Sequence, residues 1–253
     1  MILGLVSLSS ELVNQKVNSF FLNLEPPFNS RVFEQISCRN AQFGISDQEE
    51  KSFIHYSDEL LFVSEGRIDN RSELSAILNL PPSCPDSHLI YKAYKKWSGA
   101  CIHKLIGDWA FVAYNARTQD IFLARDQHGY TSLYVYQDEN IFAFSSSIRH
   151  LIHLSKPEPN HKFIVGRLCQ WNRKERHETI FDSIYKVSAG YTLSYRNKQL
   201  QFEKYWFPEN ISLRNYHNLQ DYTDEFFEIL RESIRCRLKS NRPFASMLSG
   251  GFD

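Results

Sequence analysis

The chain has no excess charge of either sign: Lys and Arg number 29, and so do Asp and Glu. A balanced chain lacks the basic field that nucleic acid or an anionic membrane would recruit, so neither partner is expected. It has no apolar run long enough to cross a bilayer. Its first residues, Met1-Ile2-Leu3-Gly4-Leu5-Val6-Ser7-Leu8, are apolar but carry no basic flank, and Glu11 interrupts them early. That pattern does not read as a secretory signal. The five cysteines, Cys38, Cys84, Cys101, Cys169 and Cys236, form no C-x-x-C pair. A zinc ribbon or disulfide scaffold is therefore not indicated, and reduced thiols packed as small apolar side chains in a cytoplasmic protein are expected. No internal repeat and no low-complexity segment is present.

What the chain does have is aromatic side chains, with 19 Phe and 13 Tyr. Such residues suit pleated, half-buried surfaces. Strands are expected at 1–8 and 60–64, then in a run at 109–115, 120–125, 132–136 and 140–145, separated by turn-forming residues. A further hairpin is expected over 190–206, turning near Arg196-Asn197-Lys198. Helices are expected at 71–78 and from Asp86 to Trp97, with Asp86 as N-cap and Leu89, Ile90, Ala93, Tyr94 and Trp97 on one stripe. Past Trp206 the pattern changes. Pro208-Glu209-Asn210 breaks it, 209–220 is polar, and a helix over 221–239 follows, with Phe226, Phe227, Leu230, Ile234 and Leu238 on its apolar face. His150 and His153 share helical spacing but lack a third ligand, so a metal site is not expected.

Several short motifs carry more information. Phe244-Ala245-Ser246-Met247-Leu248 reads as a strand running into Ser249-Gly250-Gly251-Phe252-Asp253. Glycines at such a place let backbone N–H groups approach phosphate oxygens. Upstream lie Glu65-Gly66-Arg67-Ile68-Asp69-Asn70, then Gly107-Asp108-Trp109-Ala110-Phe111, then Ala124-Arg125-Asp126-Gln127-His128-Gly129-Tyr130-Thr131-Ser132-Leu133-Tyr134, then Phe144-Ser145-Ser146-Ser147 and Glu203-Lys204-Tyr205-Trp206. In this order the set resembles the glutamine-hydrolysing asparagine synthetase family, from about residue 60 onward. Asp108 and Asp126 read as acceptors for turn backbone, and Gly129 as a position with positive φ.

The resemblance implies an α+β fold: a four-layer αββα sandwich of the N-terminal-nucleophile (Ntn) hydrolase type over 1–206, a linker at 207–220, and the truncated start of an α/β ATP-pyrophosphatase domain at 221–253. It also implies an ATP- and Mg²⁺-dependent ligase that forms amides on a small-molecule or peptide acid, with Ser249, Gly250, Gly251 and Asp253 at the pyrophosphate. Relatives with degenerate glutaminase domains include lasso-peptide cyclases and β-lactam synthetases. A homodimer is compatible with the resemblance, which does not decide it.

Two departures from the family pattern stand out. The family's nucleophile is a cysteine directly after the initiator Met, and Ile2 stands there. The family's oxyanion-hole Asn corresponds to Glu65, whose carboxylate repels the charge that such a donor stabilises. Gly66, Asn70 and Asp86 then read as a remnant of the glutamine pocket, with helix capping as the competing role for Asp86. No arginine suited to the substrate carboxylate is evident, Arg39 being a poor candidate. The expectation for this chain by itself is therefore no catalysis, and the alternative to a ligase portion is a non-catalytic, truncated Ntn-fold module or the product of a decayed gene.

Overall fold

The computed structural model describes residues 1–8, 20–21, 34–46, 51–169, 177–238 and 245. The chain separates into two compact units, Met1–Pro208 and Glu209–Asp253.

The first unit holds two six-stranded antiparallel sheets. Strands β1 (Ile2–Ser7), β2 (Glu34–Cys38), β3 (Ala41–Ile45), β8 (Tyr134–Gln137), β9 (Ile141–Ser145) and β10 (Ile184–Lys186) form one, in the order β10-β8-β9-β1-β3-β2. Strands β4 (Ser52–Ser57), β5 (Leu60–Ile68), β6 (Gly107–Asn115), β7 (Ile121–Arg125), β11 (Tyr191–Arg196) and β12 (Gln199–Lys204) form the other, in the order β12-β11-β7-β6-β5-β4. Period-two alternation decides which face each side chain takes. From β1, Ile2 and Val6 enter the core between the sheets, where they join Phe43, Phe142 and Phe144 and face Ile54, Val63, Val112, Leu123 and Leu193 of the other sheet. Leu3 and Leu5 point the other way.

Those outward residues define two further apolar layers. Leu3, Leu5, Ile141 and Ala143 pack with Phe20, Phe21 and Leu151, the last on helix α3 (Ile148–Ser155). On the outer face of the second sheet, Phe62, Trp109, Phe111 and Ala124 pack under helices α1 (Arg71–Leu78) and α2 (Asp86–Trp97) through Leu74, Ile90, Tyr91 and Ala93. Helix, sheet, sheet, helix is the expected layering. Each large side chain so buried contributes roughly 1.5–3 kcal/mol of transfer free energy, opposed by chain entropy. Helix α4 (His161–Leu168) is capped by Asn160, whose side chain accepts the Phe163 N–H at 2.9 Å.

Two hairpins turn on consecutive residues with positive φ: Asp58-Glu59 between β4 and β5, and Asn197-Lys198 between β11 and β12. Paired left-handed residues match the right-handed twist of the strands they join. The 196–198 turn and the helix at 71–78 fall where the sequence puts them.

Two expectations, on Asp86 and Cys169, need correction. Asp86 is not an N-cap: Pro85 holds that place, Asp86 is the first helical residue, and its carboxylate points to β5. Asp108 also pairs with Arg67, at 2.7 Å, which the sequence reading did not include. Cys169 is exposed, whereas Cys38, Cys84, Cys101 and Cys236 are buried.

In the second unit, helix α5 (Leu219–Arg237) is capped by Asn218, whose side chain accepts the Asp221 N–H at 2.9 Å. Its basic last turn, Arg235 and Arg237, complements the helix dipole. Phe226, Phe227 and Ile234 on its apolar face are exposed. The expected strand at 244–248, and Ser249, Gly250, Gly251 and Asp253 with it, lie outside the described residues. No described helix is long and apolar enough to cross a membrane.

Candidate functional site

The front end of β1 lies beside the far end of β5, and Ile2, Glu65 and Gly66 lie at this junction, with Asn70 and Asp86 just past the end of β5. Met1 is held by both sheets. Its carbonyl accepts the Ser46 N–H at 2.9 Å, and its amino group donates to the Ser46 carbonyl at 3.0 Å and to Ser52 Oγ at 3.1 Å. The same amino group lies 3.3 Å from Glu65 Oε1. Ile2 is wholly buried in the core between the sheets. Its backbone is clamped by Ser146: the Ile2 N–H donates to Ser146 Oγ at 3.1 Å, and the Ser146 N–H donates to the Ile2 carbonyl at 2.9 Å.

Gly66 follows on β5. Its φ is +154°, and a Cβ there would sit 2.5 Å from the Asp108 carbonyl oxygen and 2.7 Å from Trp109 Cα. The approach of β6 alone therefore demands glycine at this position. Asn70 is a backbone staple. It accepts the Ile106 N–H at 3.1 Å and donates to the Lys104 carbonyl at 3.0 Å, tying the start of α1 to the loop before β6.

Asp86 reaches across from the start of α2. Its Oδ2 accepts the Ile68 N–H at 3.0 Å, and its Oδ1 lies 3.4 Å from Arg71 Nε. Arg71 also donates to the Cys84 carbonyl. Arg67 lies between two carboxylates, 3.1 Å from Asp69 Oδ1 and 2.7 Å from Asp108 Oδ2. Sequence reasoning did not foresee these arginine pairs. The Arg67–Asp69 pair was legible in principle, because the two residues lie two apart in the chain where β5 runs into its turn. The Arg71–Asp86 pair was not, because it depends on how α1 and α2 pack. Arg39 lies elsewhere, donating to the Ala116 carbonyl at 2.6 Å and to Glu59 at 3.2 Å.

A second polar cluster underpins β9. Ser145 Oγ accepts the Ser147 N–H at 3.0 Å and lies 2.7 Å from His150 Nδ1. Burial first, then the nearby His153 and the Met1 amino group, lower the His150 pKa to about 4. The Asp126 turn is built as its sequence suggests. Asp126, wholly buried, accepts the backbone N–H groups of His128 (3.0 Å), Gly129 (2.5 Å), Tyr130 (3.2 Å) and Thr131 (3.2 Å), and Gly129 has φ of +70°. Arg125 binds the Gly129, Thr131 and Val187 carbonyls from the other side, and burial lowers its pKa.

The glutamine amidotransferase domain family matches residues 29–206, most of the chain and nearly all of the two sheets. The chain belongs to that family. It is 27% identical over 214 residues to a Methanocaldococcus jannaschii protein assigned as asparagine synthetase (glutamine-hydrolyzing) 2, covering 81% of this chain and 42% of the relative. It is 29% identical over 173 residues to amidase chry2 of Gibberella zeae, covering 66% of this chain and 25% of the relative. Against asparagine synthetase (glutamine-hydrolyzing) 3 of Bacillus subtilis the identity is 24% over 191 residues, covering 73% of this chain and 30% of the relative. This glutamine amidotransferase domain is thus of the asparagine synthetase kind, as its motifs suggested. The chain spans less than half the length of each of these three relatives.

Proposed function

We propose that this amidotransferase domain is the glutaminase-like portion of an ATP-dependent, amide-forming ligase of the asparagine synthetase type, and that it does not itself hydrolyse glutamine. The observation that carries the reading is Ile2. Where the resemblance places a nucleophilic cysteine, the chain has an aliphatic side chain buried in the inter-sheet core. Acyl transfer from an amide needs a nucleophile and donors for the oxyanion. Ile2 supplies no nucleophilic atom, and Glu65 offers a carboxylate where a donor is required.

In this reading nitrogen reaches the ligase as free ammonia or as an amine. ATP and Mg²⁺ would activate the acid, with Ser249, Gly250, Gly251 and Asp253 at the pyrophosphate. The acid is a small molecule or a peptide. The site's own charges favour one rival, a non-catalytic Ntn-fold module, because Glu65, Arg67, Arg71 and Asp86 are all paired within the chain.

The test uses the longest product found in the native source, supplied with ATP, Mg²⁺ and a panel of carboxylic acids. Pyrophosphate release that depends on an acid and on ammonium, with no glutamate formed from glutamine, is the expected result. Glutamate release by the wild-type protein would overturn the loss of glutaminase activity. No pyrophosphate with any acid would favour the non-catalytic module.

A further inference from the structure

The seam between helix α2 and the edge of the second sheet is built from four rings, two of them imidazoles. Strand β4 forms that edge and pairs with β5. Phe53 and His55 stand two apart on β4 and share its outer face, while Ile54 between them enters the core between the sheets. His88, Tyr91, Lys92 and Lys95 recur at helical spacing on α2. The Phe53 ring stacks on His88, with centroids 4.7 Å apart and planes 17° from parallel, and on His55 at 5.9 Å and 23°. Tyr91 closes the group. Its ring lies 5.3 Å from Phe53 and 5.0 Å from His55, and its hydroxyl lies 3.1 Å from Ser57 Oγ.

The charges around these rings decide what a proton would do. From α2, Lys92 faces His88, with its Nζ 5.5 Å from the Tyr91 ring centroid. Lys95 is held by Asp58 of the β4–β5 turn at 2.8 Å, and Asp58 also faces His55. Asp86, at the start of α2, is engaged by the Ile68 N–H and by Arg71. The residues opposite Phe53 and His55 on β5 are Ser64 and Phe62, which carry no charge. A protonated His88 would gain cation–π attraction from Phe53 and Tyr91. Against that, it would lose part of its hydration and meet Lys92 and a second imidazole. Burial first, then Lys92 and His55, lower the His88 pKa, so the opposing effects win. The seam accepts the neutral ring, whereas the opened chain takes up a proton near pH 6.5.

We propose that the Phe53–His88 stack is a pH-sensitive latch: it holds α2 on the edge of the second sheet while His88 is neutral and lets go when His88 is protonated. What the latch governs follows from the helix it holds. The first residue of α2 is Asp86, whose carboxylate accepts the Ile68 N–H at the end of β5, and Tyr94 of the same helix packs on Phe62 and Phe111. Opening therefore unfastens the end of β5 and bares part of an aromatic layer. Strands β6 and β7, each paired on both sides, stay in place.

Peptide-resolved hydrogen exchange of the full chain tests this at pH 7 and pH 5, with each rate divided by its intrinsic value at that pH. Protection of 52–57 and 86–97 should fall at least about threefold between the two, the result of one histidine whose protonation the closed seam resists. At pH 5 both segments should be less protected than 107–125, which marks a local opening. His88→Phe, which keeps a flat ring and takes no proton, should abolish the fall. His150 is present in both proteins, so the difference between them belongs to His88. If the Phe variant does not fold, His88→Gln, which also takes no proton, replaces it with the same expectation. An undiminished wild-type seam at pH 5 overturns the proposal. An equal fall in the folded variant, or a loss shared equally with 107–125, overturns it too.

Discussion

Ser145 Oγ lies 2.7 Å from His150 Nδ1, and both residues are buried beneath the first sheet. The pair joins the end of β9 to the first turn of α3, beside the strand that carries Ile2. Burial holds the His150 pKa near 4, below its ordinary 6.5. In the folded protein the ring therefore stays neutral where the unfolded chain takes up a proton.

The sign of the pH dependence follows. Above about pH 6.5 the ring is neutral in both states and costs nothing. As pH falls from 6.5 towards 4, the unfolded state binds a proton that the native state refuses, and stability is lost. The full loss from this one residue is at most about 3 kcal/mol, at about 1.4 kcal/mol per pH unit. Urea unfolding at pH 7 and pH 5 should show a lower midpoint at pH 5. In His150→Gln that difference should shrink. An equal pH difference in both proteins would refute the assignment.

Gly66→Ala should destabilise the first unit by roughly 3 kcal/mol, because the new Cβ collides with backbone of β6 rather than with a side chain that can move. Thermal unfolding measures it. A variant as stable as wild type would mean that β5 and β6 lie further apart than described.

Asp126→Ala should cost about 3 kcal/mol or more, because it strands the four backbone N–H groups that the buried carboxylate accepts. Asp126→Asn, which keeps one acceptor oxygen, should fall between the two. The ranking of the three proteins by denaturant midpoint is the readout.

Tyr195→Phe should be neutral or stabilising by up to about 1 kcal/mol. The Tyr195 hydroxyl is buried without a hydrogen-bond partner among the described residues, and burial raises its pKa. Removing an unsatisfied polar group from a core recovers its desolvation cost at almost constant volume. A clear drop in midpoint would reveal a partner for that hydroxyl.

Legibility varied with how local each cause was. The helix at 71–78 and the hairpin at 196–198 follow from residues close in sequence, and both were read correctly. The β4–β5 hairpin was missed because Asp58-Glu59 takes left-handed backbone without the Asn or Gly that usually announces it. Strands β2 and β3 were missed because their short, partly polar stretches take their places through pairing with each other and with β1. Asp86 was misread as a cap because Ile68, its backbone partner, lies eighteen residues upstream.

The sequence by itself determined the family, through motifs whose order needs no geometry. It also determined the residue types at positions 2 and 65, and it determined the Asp126 turn, whose donors lie within five residues of their acceptor. Tertiary structure decided what the charges do. Arg71 meets Asp86 only because α1 and α2 pack together on the second sheet, and Arg67 meets Asp108 only because β5 pairs with β6 in one register. Charge acts through space and falls off steeply with distance, so the chain's order cannot reveal which carboxylate an arginine will neutralise.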